Sequence, residues 1–124
     1  TILDGVTHIG SQAFRLCYEL EYLQLGNSIK EIGYYAFENC SKLKSIVFPA
    51  SITQINKGAF NKCTSLNSVY FSSITPPRLS DSSVFAANAY GRIIYVPYSS
   101  DGSIISAYKS SWSYYSDFIK EYDK

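Results

Sequence analysis

Between Ile9 and Leu66 the chain matches itself three times at an offset of 23 residues, without insertion, and this period restricts the possible folds more than any other property of the sequence. Ile9, Ala13, Phe14, Cys17 and Leu20 recur as Ile32, Ala36, Phe37, Cys40 and Leu43, and again as Ile55, Ala59, Phe60, Cys63 and Leu66. At ordinary residue frequencies, identity at five positions in three copies has a chance probability well below roughly one in a million. A unit of 23 residues is too short for a pair of helices and cannot bury an apolar face alone, so each copy has to stack on its neighbours.

The remaining apolar positions keep the same register. Leu23, Ile46 and Val69 are equivalent, as are Leu25, Phe48 and Phe71, and Val6, Ile29 and Ile52, with Val6 belonging to the tail of an earlier copy. Leu23-Gln24-Leu25, Ile46-Val47-Phe48 and Val69-Tyr70-Phe71 alternate inward and outward as short strands do. A second extended stretch follows, in which Ile29 and Ile32 flank Lys30 and Glu31, and Ile52 and Ile55 flank Thr53 and Gln54, so a polar pair faces out between two inward residues. The Ala-Phe pair then falls in a compact turn or a single helical turn, its ring and small neighbour filling the middle of the coil. With 46% hydrophobic and 17% charged residues in 124, the chain has enough apolar material for a single packed domain and too much for disorder.

This pattern resembles the BspA-like leucine-rich-repeat family of bacterial cell-surface proteins, whose repeats read Ile-x-x-x-Ala-Phe-x-x-Cys-x-x-Leu-x-x-Ile-x-[Leu/Phe]-Pro-x-x-Ile. The second copy, with Phe48-Pro49, is nearly a consensus repeat, and the match is specific over residues 1–71. The resemblance implies a leucine-rich-repeat solenoid, a right-handed superhelix of short parallel strands and turns with a 23-residue repeat, closed by a C-terminal helical cap. The expected division of the single domain is regular repeats over 1–75, a degenerate last coil over 76–98 and the cap over 99–124. Thr75-Pro76-Pro77 breaks the register, after which Val84-Phe85 stands for Ala-Phe and Ile94-Tyr95-Val96-Pro97 for Ile46-Val47-Phe48-Pro49. Weak periodicity over 72–92 leaves room for a longer irregular loop.

In the cap, Asp101 or Ser103 is placed to start a helix, and Ile104, Ile105, Tyr108, Trp112, Tyr115, Ile119 and Tyr122 recur at helical spacing. One aromatic-rich helix, or two short ones, would cover the apolar surface that the last coil leaves bare. Thr1 to His8 begin in mid-coil without a signal peptide or initiating Met, which reads as a fragment or processed C-terminal piece of a longer protein. The first coil is left open, and self-association through it is an expected consequence.

Charge and composition remove several functions. Eleven Lys and Arg against ten Asp and Glu give a net charge of +1, which offers no electrostatic basis for nucleic-acid binding. The longest apolar runs, such as Ile93-Ile94-Tyr95-Val96, fall far short of a membrane span, so no membrane insertion is expected. Cys17, Cys40 and Cys63 form a ladder with rungs about 4.8 Å apart, which puts the outer thiols about 10 Å from each other. One zinc needs all its sulfurs within about 4 Å, and an odd count leaves a free thiol in any disulfide scheme, so the cysteines read as small buried core residues. His8 aligns with the outward Glu31 and Gln54, and Asp4, Glu19, Glu21, Glu31 and Glu38 are scattered over exposed repeat positions. Neither supplies a catalytic constellation, and the chain reads as no enzyme, with no metal and no cofactor. Asn39-Cys40-Ser41 matches the glycosylation triplet, but Cys40 belongs to the buried ladder.

A surface remains. Outward strand residues stack into one row of Gln24, Val47, Tyr70 and Tyr95, with Tyr22, Ser45, Ser68 and Ile93 beside it. Exposed aromatics give large contact area for little entropy loss, which nominates Tyr22, Gln24, Val47, Tyr70 and Tyr95 as binding residues, although cross-strand packing alone also accounts for such a row. Tyr34 and Tyr35, before Ala36-Phe37, form a second candidate. By resemblance the function is interaction or adhesion, with host-matrix or cell-surface proteins as partners and a cell-surface or secreted location. A glycan-binding accessory module and a passive spacer are the alternatives.

Overall fold

A computed structural model describes residues 5–122. Each coil contributes two short strands to two separate parallel sheets. The first sheet contains β1 (His8–Ile9), β3 (Glu31–Ile32), β5 (Gln54–Ile55) and β7 (Arg78–Leu79) in that order. The second contains β2 (Tyr22–Gln24), β4 (Ser45–Phe48), β6 (Ser68–Phe71), β8 (Ile93–Pro97) and β9 (Ile119–Tyr122). His8 pairs with Glu31 and Glu31 with Gln54, while Tyr22 pairs with Ser45 and Ser45 with Ser68, so the sequence period of 23 is the rung spacing of the solenoid. Every strand pair is parallel, because successive coils run the same way round.

The Ala-Phe segment crosses between coils by alternating its backbone. Gln12, Tyr35 and Gly58 are left-handed at one repeat position, and Leu16, Asn39, Lys62 and Ala87 are left-handed at another. Between them, every second N–H turns outward along the stack: those of Gln12, Phe14 and Leu16 donate to the carbonyls of Tyr34, Ala36 and Glu38 at 2.8, 2.7 and 2.9 Å. The intervening N–H groups bond within their own coil, as Ala13 does to Gly10 and Arg15 to Gln12, both at 3.2 Å. The turn therefore carries a hydrogen-bond ladder of its own and leaves few backbone groups unpaired.

Inside, the repeated phenylalanines make two columns. Phe14, Phe37, Phe60 and Phe85 stack with centroids 5.1, 5.1 and 5.7 Å apart, and Phe48 stacks on Phe71 at 4.5 Å. The columns meet edge to face, with Phe48 against Phe60 at 5.6 Å and Phe71 against Phe85 at 6.5 Å. Aliphatic residues at the repeat positions, including Ile32, Leu43, Ile46, Ile55 and Leu66, fill the space around them with no exposure. Aromatic pairs in these geometries add about 0.5–1.5 kcal/mol each beyond burial of their area.

The register loosens only toward the end. Gln54 pairs with Arg78 and Ser68 with Ile93, so the offset grows to 24 and then 25 residues. Val84 and Phe85 nonetheless occupy the Ala-Phe position, both fully buried, and β7 gives residues 72–92 a rung of their own. The polypeptide then forms α1 (Ser103–Ser111), a 3-10 turn over Ser113–Phe118, and β9, which pairs in parallel with β8 at an offset of 25. This cap is a rewritten coil, with helices in place of the first-sheet strand and its turn. Ile119 and Tyr122, expected on a helical face, lie instead in the last strand, because a spacing of three fits both an aromatic helix stripe and a short edge strand. Neither Asp101 nor Ser103 is the N-cap. That residue is Gly102 in the left-handed conformation, while Asp101 accepts the Ser103 N–H at 3.0 Å and Ser99 Oγ accepts the Ile104 N–H at 3.1 Å.

Candidate interaction surface and the capped end

The strand register builds the outward row from residues far apart in sequence: Gln24 lies beside Val47, Val47 beside Tyr70, Tyr70 beside Tyr95 and Tyr95 beside Lys120. Tyr70 and Tyr95 stack at 4.8 Å with rings nearly parallel, and Tyr122 meets Tyr70 edge-on at 6.1 Å. Val47, Tyr70 and Tyr95 are half-buried, Gln24 is exposed, and Tyr22 is 62% exposed. Tyr22 belongs to the adjacent row with Ser45, Ser68 and Ile93, and Lys44 Nζ lies 5.9 Å from its ring centre. The structure thus joins Tyr70, Tyr95 and Tyr122 into one aromatic patch and leaves Tyr22 apart. Sequence pattern did not bring Tyr122 to this face, because its repeat position appears only once the cap is recognised as a coil. Tyr34 is exposed, whereas Tyr35 packs against Gly58.

The polar candidates lie at the surface except Glu38, expected to face out, whose side chain is covered by the neighbouring coils to 12% exposure. His8 Nε2 lies 3.6 Å from Glu31 Oε1 with both side chains largely exposed, and Asn56 Nδ2 donates to Glu31 Oε2 at 2.8 Å. Glu38 accepts from Arg15 Nε at 2.8 Å and from Asn61 Nδ2 at 3.2 Å, a polar ladder along the coils. Asp4 lies outside the described residues. Among the described residues, no group of three His, Cys, Asp or Glu is placed to hold a metal, and no helix is long and apolar enough to cross a membrane.

The three cysteines are free, and the two buried ones have a structural task. Cys40 Sγ–H donates to the Phe14 carbonyl at 3.2 Å and Cys63 Sγ–H to the Phe37 carbonyl at 3.1 Å. The Cys40 thiol beside it and burial push the Cys63 thiol up, so it stays protonated and donating. In the fourth coil the same repeat position holds Asn88, whose Nδ2 donates to the Phe60 carbonyl at 2.9 Å. Phe85, the last of the column, receives the Arg92 guanidinium on its carbonyl at 2.6 Å.

Side chains of the cap pair several backbone groups of residues 71–85. The Tyr115 hydroxyl accepts the Phe85 N–H at 3.1 Å, standing where Ala36, Ala59 and Val84 carbonyls serve the earlier phenylalanines, and donates to the Ser82 carbonyl. Tyr108 Oη–H donates to Ser73 O at 2.6 Å, Trp112 Nε1–H to Pro77 O at 3.0 Å and Tyr122 Oη–H to Phe71 O at 3.3 Å. Burial pushes the Tyr108 and Tyr115 hydroxyls up in pKa, which keeps them protonated over the physiological range. Helical spacing made these aromatics visible as an apolar cover; their hydrogen-bonding roles were not legible, because the partner groups lie 30 or 35 residues away.

Beside this seam lies a cleft of about 510 Å³ that includes Ala87, Tyr90, Arg92, Tyr114 and Phe118. Sequence reasoning passed over Arg92. The available signal was the loss of the Cys and Leu pattern after Phe85, where Asn88 and Gly91 stand instead. No curated protein matches the chain significantly. A family model described as the BspA type leucine rich repeat region (6 copies) matches residues 1–108. With its stacked parallel coils and most of its length covered by that model, the chain belongs to the BspA-type leucine-rich-repeat family.

Proposed function

We propose that this domain is a non-enzymatic adhesion module of a bacterial surface or secreted protein, binding host-matrix or cell-surface proteins through the strand row of Gln24, Val47, Tyr70 and Tyr95, with Tyr22 at its margin. The stacked Tyr70–Tyr95 pair carries this reading: it offers apolar area with hydroxyls attached, fixed on a rigid sheet, and rigid aromatics bind at low entropic cost. Family membership supports an interaction role, and a net charge of +1 suits protein partners over anionic polymers. Because each of the two rings covers a face of the other, the pair suits a protein contact better than a sugar platform, which needs open ring faces.

The test is a binding screen of the domain against immobilised extracellular-matrix proteins and a glycan array, beside a Tyr70→Ala/Tyr95→Ala variant and a Tyr22→Ala variant with folding checked by circular dichroism. Protein binding that weakens at least about tenfold in the folded double variant is the expected result. Binding to glycans alone would favour the accessory-module reading, and binding to neither panel would favour a spacer.

A further inference from the structure

Arg92 is only 8% exposed, yet its charge meets no carboxylate among the described residues. Its Nε–H donates to Asn88 Oδ1 at 3.1 Å and one terminal nitrogen to Phe85 O at 2.6 Å, both neutral acceptors. The carbonyl alone does not call for a cation, since Cys40, Cys63 and Asn88 serve Phe14, Phe37 and Phe60 with uncharged donors. The rings of Tyr115, Phe118 and Phe85 surround the guanidinium at 5.0, 5.5 and 6.0 Å. They soften the penalty of burying it but do not neutralise it.

The adjoining cleft of about 510 Å³ has a second donor. Ala87 holds the left-handed repeat position from which Leu16, Asn39 and Lys62 give their N–H groups to the next coil's carbonyls. The cap presents no carbonyl there, and the Ala87 N–H bonds to none of the described residues. An unneutralised guanidinium and an unspent N–H therefore lie on one concave site walled by Tyr90, Tyr114 and Phe118.

We propose that this cleft binds a carboxylate of a partner protein, from an acidic residue or the partner's free C-terminus, with Arg92 as the counter-charge and the Ala87 N–H as second donor. The inference rests on the interaction reading only in taking a protein as partner; the cleft shares no residue with the strand row.

The experiment titrates the isotopically labelled protein with acetyl-Phe-Glu-amide, with acetyl-Phe-Leu bearing a free terminus, and with the neutral acetyl-Phe-Gln-amide, following the Ala87 amide and the Arg92 Nε–H by NMR. At least one carboxylate probe is expected to bind about tenfold or more tightly than the carboxamide, and the tighter of the two names the source. Ala87→Asp, which the left-handed backbone accommodates, supplies an internal carboxylate and is expected to abolish binding while raising Tm, whereas Ala87→Asn keeps binding. The Tyr70→Ala/Tyr95→Ala variant is expected to titrate unchanged, which separates this site from the strand face. Equal affinity for carboxylate and carboxamide probes, no shift at Ala87 or Arg92, or undiminished binding by Ala87→Asp overturns the proposal.

Discussion

At the scale of single residues, one hydroxyl or thiol decides whether a buried backbone group is paired. Tyr115→Phe leaves the Phe85 N–H and the Ser82 carbonyl without their partner, and a loss of about 1–3 kcal/mol is expected in urea unfolding with little change in the slope. The same chemistry gives a pH dependence. Burial raises the Tyr108 and Tyr115 pKa values above the ordinary tyrosine value of about 10, so at alkaline pH the unfolded protein releases protons that the folded one retains. Their contribution is complete below about pH 10 and is lost as pH rises beyond it; Tm measured from pH 8 to 11 should fall less steeply in Tyr108→Phe than in the parent. Among the thiols, Cys17 is partly exposed while Cys40 and Cys63 are fully buried. A thiol reagent should label Cys17 first and reach the other two only on unfolding.

At the scale of elements, the turn is the part that sequence reading saw least well. Ile9, Leu23 and their equivalents announced both sheets, since strands display an alternating pattern of side chains. The turn depends on left-handed backbone at Gln12, Tyr35 and Gly58, and only the last of these is a residue that advertises such geometry. Gly58 has a further constraint, because an added Cβ would sit 2.3 Å from the Tyr35 ring. Gly58→Ala is expected to destabilise by about 1–3 kcal/mol, and much of that loss should vanish in a Tyr35→Ala background, as a double-mutant cycle would measure. In the cap, periodicity identified Tyr108, Trp112 and Tyr115 as a covering face but assigned Ile119 and Tyr122 to it too, since β9 becomes visible only through its pairing with β8. The outward row proposed to bind was legible as positions, through the register of 23 and the Ile94-Tyr95-Val96-Pro97 match to the strand pattern; the cleft at Arg92 was not, because it forms where the repeat stops.

At the scale of the whole molecule, stability is a sum over coils and their interfaces. Among the described residues, the first coil has a neighbour on one side only, and Phe14, Cys17 and Leu20 line an open surface depression there. Amide exchange should therefore be fastest around β1 and β2 and slowest around β4 and β6, which pack between coils on both sides. A uniform exchange profile would mean that the stack opens as one unit. The opposite end behaves differently. Tyr108, Trp112, Tyr115 and Tyr122 hydrogen-bond to main-chain oxygens and one main-chain N–H, and three of them pack on the Phe71 and Phe85 rings, which stand at positions the repeat also fills with Phe48 and with Phe37 and Phe60. The cap is in that sense a universal fitting: coils upstream can be duplicated or deleted in whole units without its parts being redrawn, so the reach of the coil stack is an inheritable length that can drift while the capped end of the stack stays the same.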